Sequence, residues 1–183
     1  LETVISTSQL QLHHVGVEQL LGLFDSPQAS SINDECDFLN PYRVLVDDDE
    51  LLARRVSQVE RDPTSNKWLV RFIVLKETKI VIGSTSFHGP PNDEGVRELG
   101  IELRDSFRAR GLGSEAVRGM WTWAVTQSEV TTLRYTVSRR NVASVKLIAN
   151  MRFDRVGQQA DDENGPKDIF ELSVDEFRRI NSG

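Results

Sequence analysis

The chain has 183 residues, most simply one domain spanning 1–183 and long enough to bury a sizeable core. Hydrophobic residues make up 38% and charged residues 27%, an ordinary globular balance that argues against disorder. The net charge of −6 argues against a general nucleic-acid binder and leaves room for a cationic substrate.

Cys36 is the only cysteine, which excludes an intramolecular disulfide and a cysteine-based zinc site; a partly buried free thiol is expected. No apolar run approaches the ~20 residues needed to span a bilayer, so no membrane partner is expected. No signal-peptide pattern precedes the first periodic segment, although the sequence starts at Leu1 rather than Met. The expected location is the reducing cytoplasm.

In chain order, 8–13 suits an entering strand (Leu10, Leu12). Val17, Leu20, Leu21 and Phe24 have helical spacing, which Asp25, Ser26 and Pro27 end. Residues 28–41 are polar and turn-rich. Three aspartates open a helix over 47–60, with Leu51, Leu52, Val56 and Val59 on one face, and Asp62 and Pro63 close it. Residues 68–75 and 80–87 form a hairpin across the turn 76–79. A stiff loop follows at Gly89, Pro90, Pro91 and Gly95. A strand over 96–103 leads to a long helix with Leu112, Ala116, Val117, Met120, Trp121 and Ala124 on one face. Then come a strand over 132–137, a helix over 142–151 with Val145, Ile148 and Ala149 inward, strands over 153–158 and 169–174, and a short helix from Asp175. The last two strands are joined by an acidic loop, 161–168.

This order gives an α/β (α+β) fold: a mixed, mostly antiparallel twisted sheet of about seven strands with helices on both faces. The parallel pair is expected to be the two strands that flank the long helix.

The stretch 98–116, ELGIELRDSFRARGLGSEA, organises the rest. Leu99, Ile101 and Leu103 alternate with Glu98, Gly100 and Glu102, so one strand face is apolar and the other carries two carboxylates. Arg108, Arg110, Gly111 and Gly113 then lead into the helix. Free N–H groups, the positive end of the helix dipole, glycines and arginines together suit a phosphate-bearing ligand.

Arg108-Ala-Arg-Gly111-Leu-Gly113 fits the (Gln/Arg)-x-x-Gly-x-(Gly/Ala) signature of the GNAT N-acetyltransferases, and the chain resembles that superfamily. The flanking residues resemble its ribosomal-protein N-terminal (RimJ/RimL-like) branch: Phe87-His88-Gly89-Pro90-Pro91, then Glu98-Leu99-Gly100. Asn141-x-x-Ser144 followed by Phe153 is similar to the second family motif, and the resemblance spans 68–157. Two features depart from it. Ile148 stands where many members carry a Tyr, and Asn150-Met151-Arg152-Phe153 replaces the usual Lys-x-Gly-Phe.

The resemblance implies acetyl-CoA as co-substrate, no metal, and a primary amine acceptor, either a protein N-terminus or a small cationic amine, attacking directly in a ternary complex. Arg108, Ala109, Arg110, Gly111, Leu112, Gly113 and Ser114 would hold the pyrophosphate. A bulge near Ile101, Glu102 and Leu103 would free a strand edge for pantetheine, and an N–H near Leu103 would face the oxyanion. Glu98 is the best-placed carboxylate to take the amine proton. Ser144 is the candidate donor to the leaving thiolate, and Asn141 would cap its helix and touch the cofactor. A homodimer is the default assembly. The alternative is a non-catalytic acyl-CoA-binding or interaction module with the same fold. A P-loop or dinucleotide site is disfavoured, since 108–114 has neither Gly-Lys-(Ser/Thr) nor GxGxxG.

Other residues have plainer expectations. His13, His14 and His88 lack metal spacing and suit surface or loop positions. Trp121 and Trp123 cannot share a helix face, so one is expected in the core and the other in a groove or interface. Glu102 is expected to be solvated or aimed at substrate. The acidic run 47–50 reads as a helix start, and 161–163 as a solvated loop.

Overall fold

A computed structural model describes residues 4–26, 36–161 and 165–181. Pro27, most of the loop expected over 28–41, and residues 162 and 163 of the second acidic run lie outside them.

The strands are β1 (Val4–Ser6), β2 (Leu10–His14), β3 (Arg71–Leu75), β4 (Ile80–Phe87), β5 (Val96–Leu103), β6 (Thr132–Ser138), β7 (Asp154–Gln159) and β8 (Lys167–Ser173). The helices are α1 (Val17–Asp25), α2 (Asp49–Arg61), α3 (Leu112–Ala124), α4 (Val142–Ala149) and α5 (Val174–Asn181). One eight-stranded sheet runs in the order β1-β2-β3-β4-β5-β6-β8-β7. Every neighbouring pair is antiparallel except β5–β6, which flanks α3 as expected.

The eighth strand is β1, too short to show a period. Short 3-10 turns also escaped the sequence pattern. Pro63–Trp68 forms one, with the Asp62 side chain accepting from the Thr64 N–H, so β3 starts at Arg71 rather than at Trp68. Asp48 caps α2 by accepting from the Leu51 N–H, which moves that helix two residues on from its expected start. Helix α4 stops at Ala149, which is exposed, while Ile148 alone of its expected inward residues is fully buried.

Helices α1 and α2 cover one face of the sheet through Leu20, Leu23, Leu52, Val56 and Val59. Helix α3 covers the other through Ala116, Val117, Met120, Trp121 and Ala124, joined there by Ile148 of α4 and Phe177 of α5. Both tryptophans of α3 are core residues, against expectation. Trp121 stacks on Phe153 at 4.5 Å, and Trp123 packs edge-on against Trp68 at 5.1 Å. A broad helix shoulder is covered on both sides here, so two ring positions reach one cluster.

The β4–β5 register is unbroken from Gly83 opposite Leu103 to Phe87 opposite Leu99. The bulge expected at Ile101–Leu103 is therefore not there. The register shifts of the described sheet lie between β3 and β4 and between β7 and β8. β5 instead parts from β6 after three residue pairs, ending at Glu98 opposite Arg134.

Candidate active site

Past Glu98, β5 and β6 diverge around a cavity of about 470 Å3. Leu99, Gly100 and Ile101 form one wall, and Tyr135–Ser138, Asn141 and Ser144 form the other. Asn141 caps α4, its side chain accepting from the Ser144 N–H at 3.1 Å. This leaves the Ser144 hydroxyl to accept from the Tyr135 hydroxyl at 3.4 Å. Burial pushes the Tyr135 phenol up, and the bond to Ser144 opposes that shift. Tyr135 was missed from sequence. Its only signal was a polar-tipped aromatic on the inward face of a strand beside the Asn-x-x-Ser motif.

At the end of β5 the chain makes a 3-10 turn, Asp105–Phe107, and reaches the start of α3. Arg108 holds this turn together: its Nε donates to the Leu103 carbonyl at 3.0 Å and its Nη1 pairs with Asp105 at 2.9 Å. Arg110 is exposed, with its guanidinium 5.7 Å from the centre of the Phe107 ring. Ala109 (φ 58°) and Gly111 (φ 78°) both take left-handed backbone, which turns the chain sharply into α3. A Cβ added at Gly111 would meet nothing within 4 Å, so the turn is open on that side. The first N–H groups of α3, at Leu112, Gly113 and Ser114, precede its hydrogen-bond ladder, which starts with the Glu115 N–H on the Gly111 carbonyl. The Leu112 and Leu103 side chains are buried below.

A second cavity, of about 410 Å3, opens on the α2 side of the sheet. Gly83 and Ser84 of β4, Glu102 of β5, Arg104 just past it, and residues 44, 45 and 47–51 line it. Its carboxylates are Asp47, Asp48, Asp49, Glu50 and Glu102, against the single cation Arg104. Asp48 is used as the cap of α2, and Asp47 pairs with Arg43 at 2.7 Å. The run 47–50 is thus a helix start and a cavity wall at once. At Gly83 a Cβ would lie 2.1 Å from the Glu102 carbonyl oxygen, so only glycine lets β4 approach β5 here.

The remaining expected residues are spread differently. Glu98 does not line either cavity; its Oε1 lies 3.7 Å from His88 Nδ1, and His88 does line the first. His88 is exposed in the bend after β4, as expected, and it also lines the first cavity. His13 and His14 are half-buried on β2, and burial pulls both below the ordinary histidine range.

A family profile described as "Acetyltransferase (GNAT) domain" matches residues 33–154, more than half of the chain. The uncharacterised N-acetyltransferase p20 of Bacillus licheniformis is 30% identical over 121 residues, covering 66% of this chain and 68% of that one. The chain belongs to the GNAT acetyltransferase family. It is an acetyl-CoA-dependent N-acetyltransferase by that membership. Two solved acetyltransferase structures share its fold. The ribosomal-protein-S5-alanine acetyltransferase of Vibrio fischeri aligns with a TM-score of 0.65 at 12% identity, covering 95% of this chain and 98% of that one. The microcin C7 self-immunity acetyltransferase MccE, in complex with acetyl-CoA and AMP, aligns with a TM-score of 0.62 at 15% identity, covering 91% and 93%. Among the described residues no helix is long and apolar enough to cross a membrane, and no cluster of three or more His, Cys, Asp or Glu could hold a metal ion.

Proposed function

We propose that this chain transfers the acetyl group of acetyl-CoA to the primary amine of a small cationic acceptor, by direct attack in a ternary complex. The supporting observation is that the two cavities meet on one strand: Ile101 lines the first and Glu102, the next residue, lines the second. A thioester laid along β5 and an amine held among carboxylates would come together at these two residues.

The residues fit acetyl-CoA. The unpaired edge of β5 over 99–103 would take the pantetheine arm as an added strand does. Gly111–Ser114 would turn backbone N–H groups to the pyrophosphate across the open side of Gly111, with Arg110 adding charge from the surface. Arg108 would act by fixing the turn, since its guanidinium is engaged by Leu103 and Asp105. The thioester supplies the activated acyl carbon. The Ser144 hydroxyl, backed by Tyr135, would donate to the sulfur as it leaves. This pair replaces the tyrosine that Ile148 displaces. A base beside the Glu98 end of β5 would take the amine proton.

The acceptor is assigned to the second cavity on its charge. Asp49, Glu50 and Glu102 favour an ammonium-bearing chain there, and a protein N-terminus flanked by basic residues has the same chemistry. We take residues 1–183 as one catalytic domain acting in the cytoplasm. A non-catalytic acyl-CoA-binding module is the second reading, favoured by the full burial of Ile148 at the usual tyrosine position.

A thiol-release assay with acetyl-CoA against a panel of diamines, polyamines and basic-ended peptides separates the two. Turnover should be fastest with the cationic amines, and Gly111→Glu should abolish acetyl-CoA binding by placing a carboxylate where the pyrophosphate belongs. Binding without thiol release across the panel would support the module instead.

A further inference from the structure

We infer that His88 is the group that takes the proton from the acceptor amine, and that Glu98 is a positioning carboxylate behind it. The inference deepens the transfer reading above and rests on it.

His88 follows the last residue of β4, and its N–H donates to the Glu98 carbonyl at 3.0 Å. The two residues are thus opposite each other on adjacent strands and share a sheet face. Gly100 is the next residue of β5 on that face, and the imidazole lies over it: a Cβ added at Gly100 would be 3.2 Å from His88 Nε2. Any larger residue at 100 would press on the ring. The ring thereby reaches the cavity between β5 and β6, which Glu98 does not line.

The two ring nitrogens face different surroundings. Nδ1 is 3.7 Å from Glu98 Oε1, within ion-pair range but beyond a hydrogen bond. Nε2 has no protein hydrogen bond among the described residues and is the nitrogen nearer Gly100. A base needs one free nitrogen and gains from a carboxylate that steadies the opposite one once the ring is charged. Gln58 of α2 fixes the backbone here by donating to the His88 carbonyl at 3.1 Å.

The His88 side chain is 55% exposed, so only its remaining burial and the nearby charges act on the ring. Burial pulls His88 below the ordinary histidine value of 6.5; Glu98 of β5 opposes this, and Arg55 and Arg54 of α2 and Lys167 of β8 add to it. In the transfer step the nitrogen lone pair of the neutral amine forms the new C–N bond. The amine proton passes to His88 Nε2. The C–S bond breaks with its electron pair on sulfur, which gains a proton from the Tyr135–Ser144 pair. The proton on His88 then passes through solvent to the Tyr135–Ser144 pair and restores it, so one proton leaves nitrogen and one reaches sulfur.

The test compares pH–rate profiles of the wild type, His88→Gln and Glu98→Gln on the best amine from the panel, with acetyl-CoA affinity followed by calorimetry. His88→Gln should lower kcat at least about 100-fold and remove the acid limb, with acetyl-CoA affinity unchanged. Glu98→Gln should keep an acid limb and move it to lower pH, because the one neighbour that raises the ring's pKa is gone. An acid limb that survives in His88→Gln with near-normal kcat overturns the inference, as does a limb lost in Glu98→Gln alone. If the wild type binds acetyl-CoA but acetylates no amine, the transfer reading falls and takes the base with it. A wild type that turns over beside an equally active His88→Gln removes only the base.

Discussion

Asp168, at the start of β8, is held by two arginines, one just past β6 and one on β7. Arg139, just past β6, binds both oxygens at 2.7 and 2.9 Å, and Arg155 of β7 pairs with Oδ1 at 2.8 Å. The two guanidinium groups hold its carboxyl down to about 2, from an ordinary 3.8. A depressed carboxyl favours the fold above its unfolded pKa and loses that contribution as pH falls through the folded value. Asp168→Asn should therefore lower the urea midpoint of unfolding at pH 6, and the difference from wild type should shrink steadily as pH drops from 4 towards 2. Equal midpoints at pH 6 would show the triad to be a surface ornament without effect on stability. At this scale the sequence was partly readable. The Asn141 cap and the open Gly111 turn could be read because each acts within a few residues of itself. Asp168 was read only as the end of an acidic loop, because its partners are 29 and 13 residues away. His88 and Tyr135 were missed for the same reason: their positions depend on which strands pair, and no local period records that.

Helix α3 shows what a periodic element can and cannot tell. Its apolar face was readable from 3.6-residue spacing, and β4 and β5 were bounded to the residue by their turns. Its docking was not. Glu115, in its first turn, accepts from the Thr7 hydroxyl at 2.6 Å, the Gln9 N–H at 2.6 Å and the Gln9 side-chain amide at 2.9 Å. This clamps the β1–β2 turn onto the N-terminal end of the helix proposed to hold the pyrophosphate. Burial raises the Glu115 pKa, but the hydrogen bonds outweigh it and the net shift is downward. The clamp is thus present above the ordinary glutamate value of 4.5 and weakens as pH falls below it. Glu115→Gln keeps the shape and loses the charge; it should cost about 1 kcal/mol, a charged hydrogen-bond cluster discounted for its partial exposure. Chemical denaturation at pH 7 measures this, and hydrogen exchange at Gln9 and Leu10 should quicken in the same variant.

The whole molecule is a sheet interrupted once. Helix order, the mixed sheet and the parallel β5–β6 pair were all legible, because each follows from the alternation of elements along the chain. The acidic cavity was not, because its walls come from residues 44, 45, 47–51, 83, 84, 102 and 104, which only folding brings together. A ligand that binds only the folded chain stabilises all of it. Acetyl-CoA at about 100 times its Kd should add about 2.7 kcal/mol to unfolding, read as a rise in Tm, and Gly111→Glu should abolish that rise. The interruption also changes how the protein meets its neighbours in a crowded solution. An ordinary open sheet has two edges to shield from other chains, but one that parts between β5 and β6 has four. The outer two are blunted in familiar ways: β1 has three residues, and β7 carries Asp154, Arg155 and a register shift. The inner two are left bare, as the proposed pairing of pantetheine with β5 requires. They are kept from self-association by facing each other across a cleft of about 470 Å3, with Arg140 and Lys167 on its lining. A single extended chain needs only one strand's width to pair there, whereas a second folded sheet would have to enter edge-on, so the proposed ligand site is also where the sheet's inner edges are sheltered.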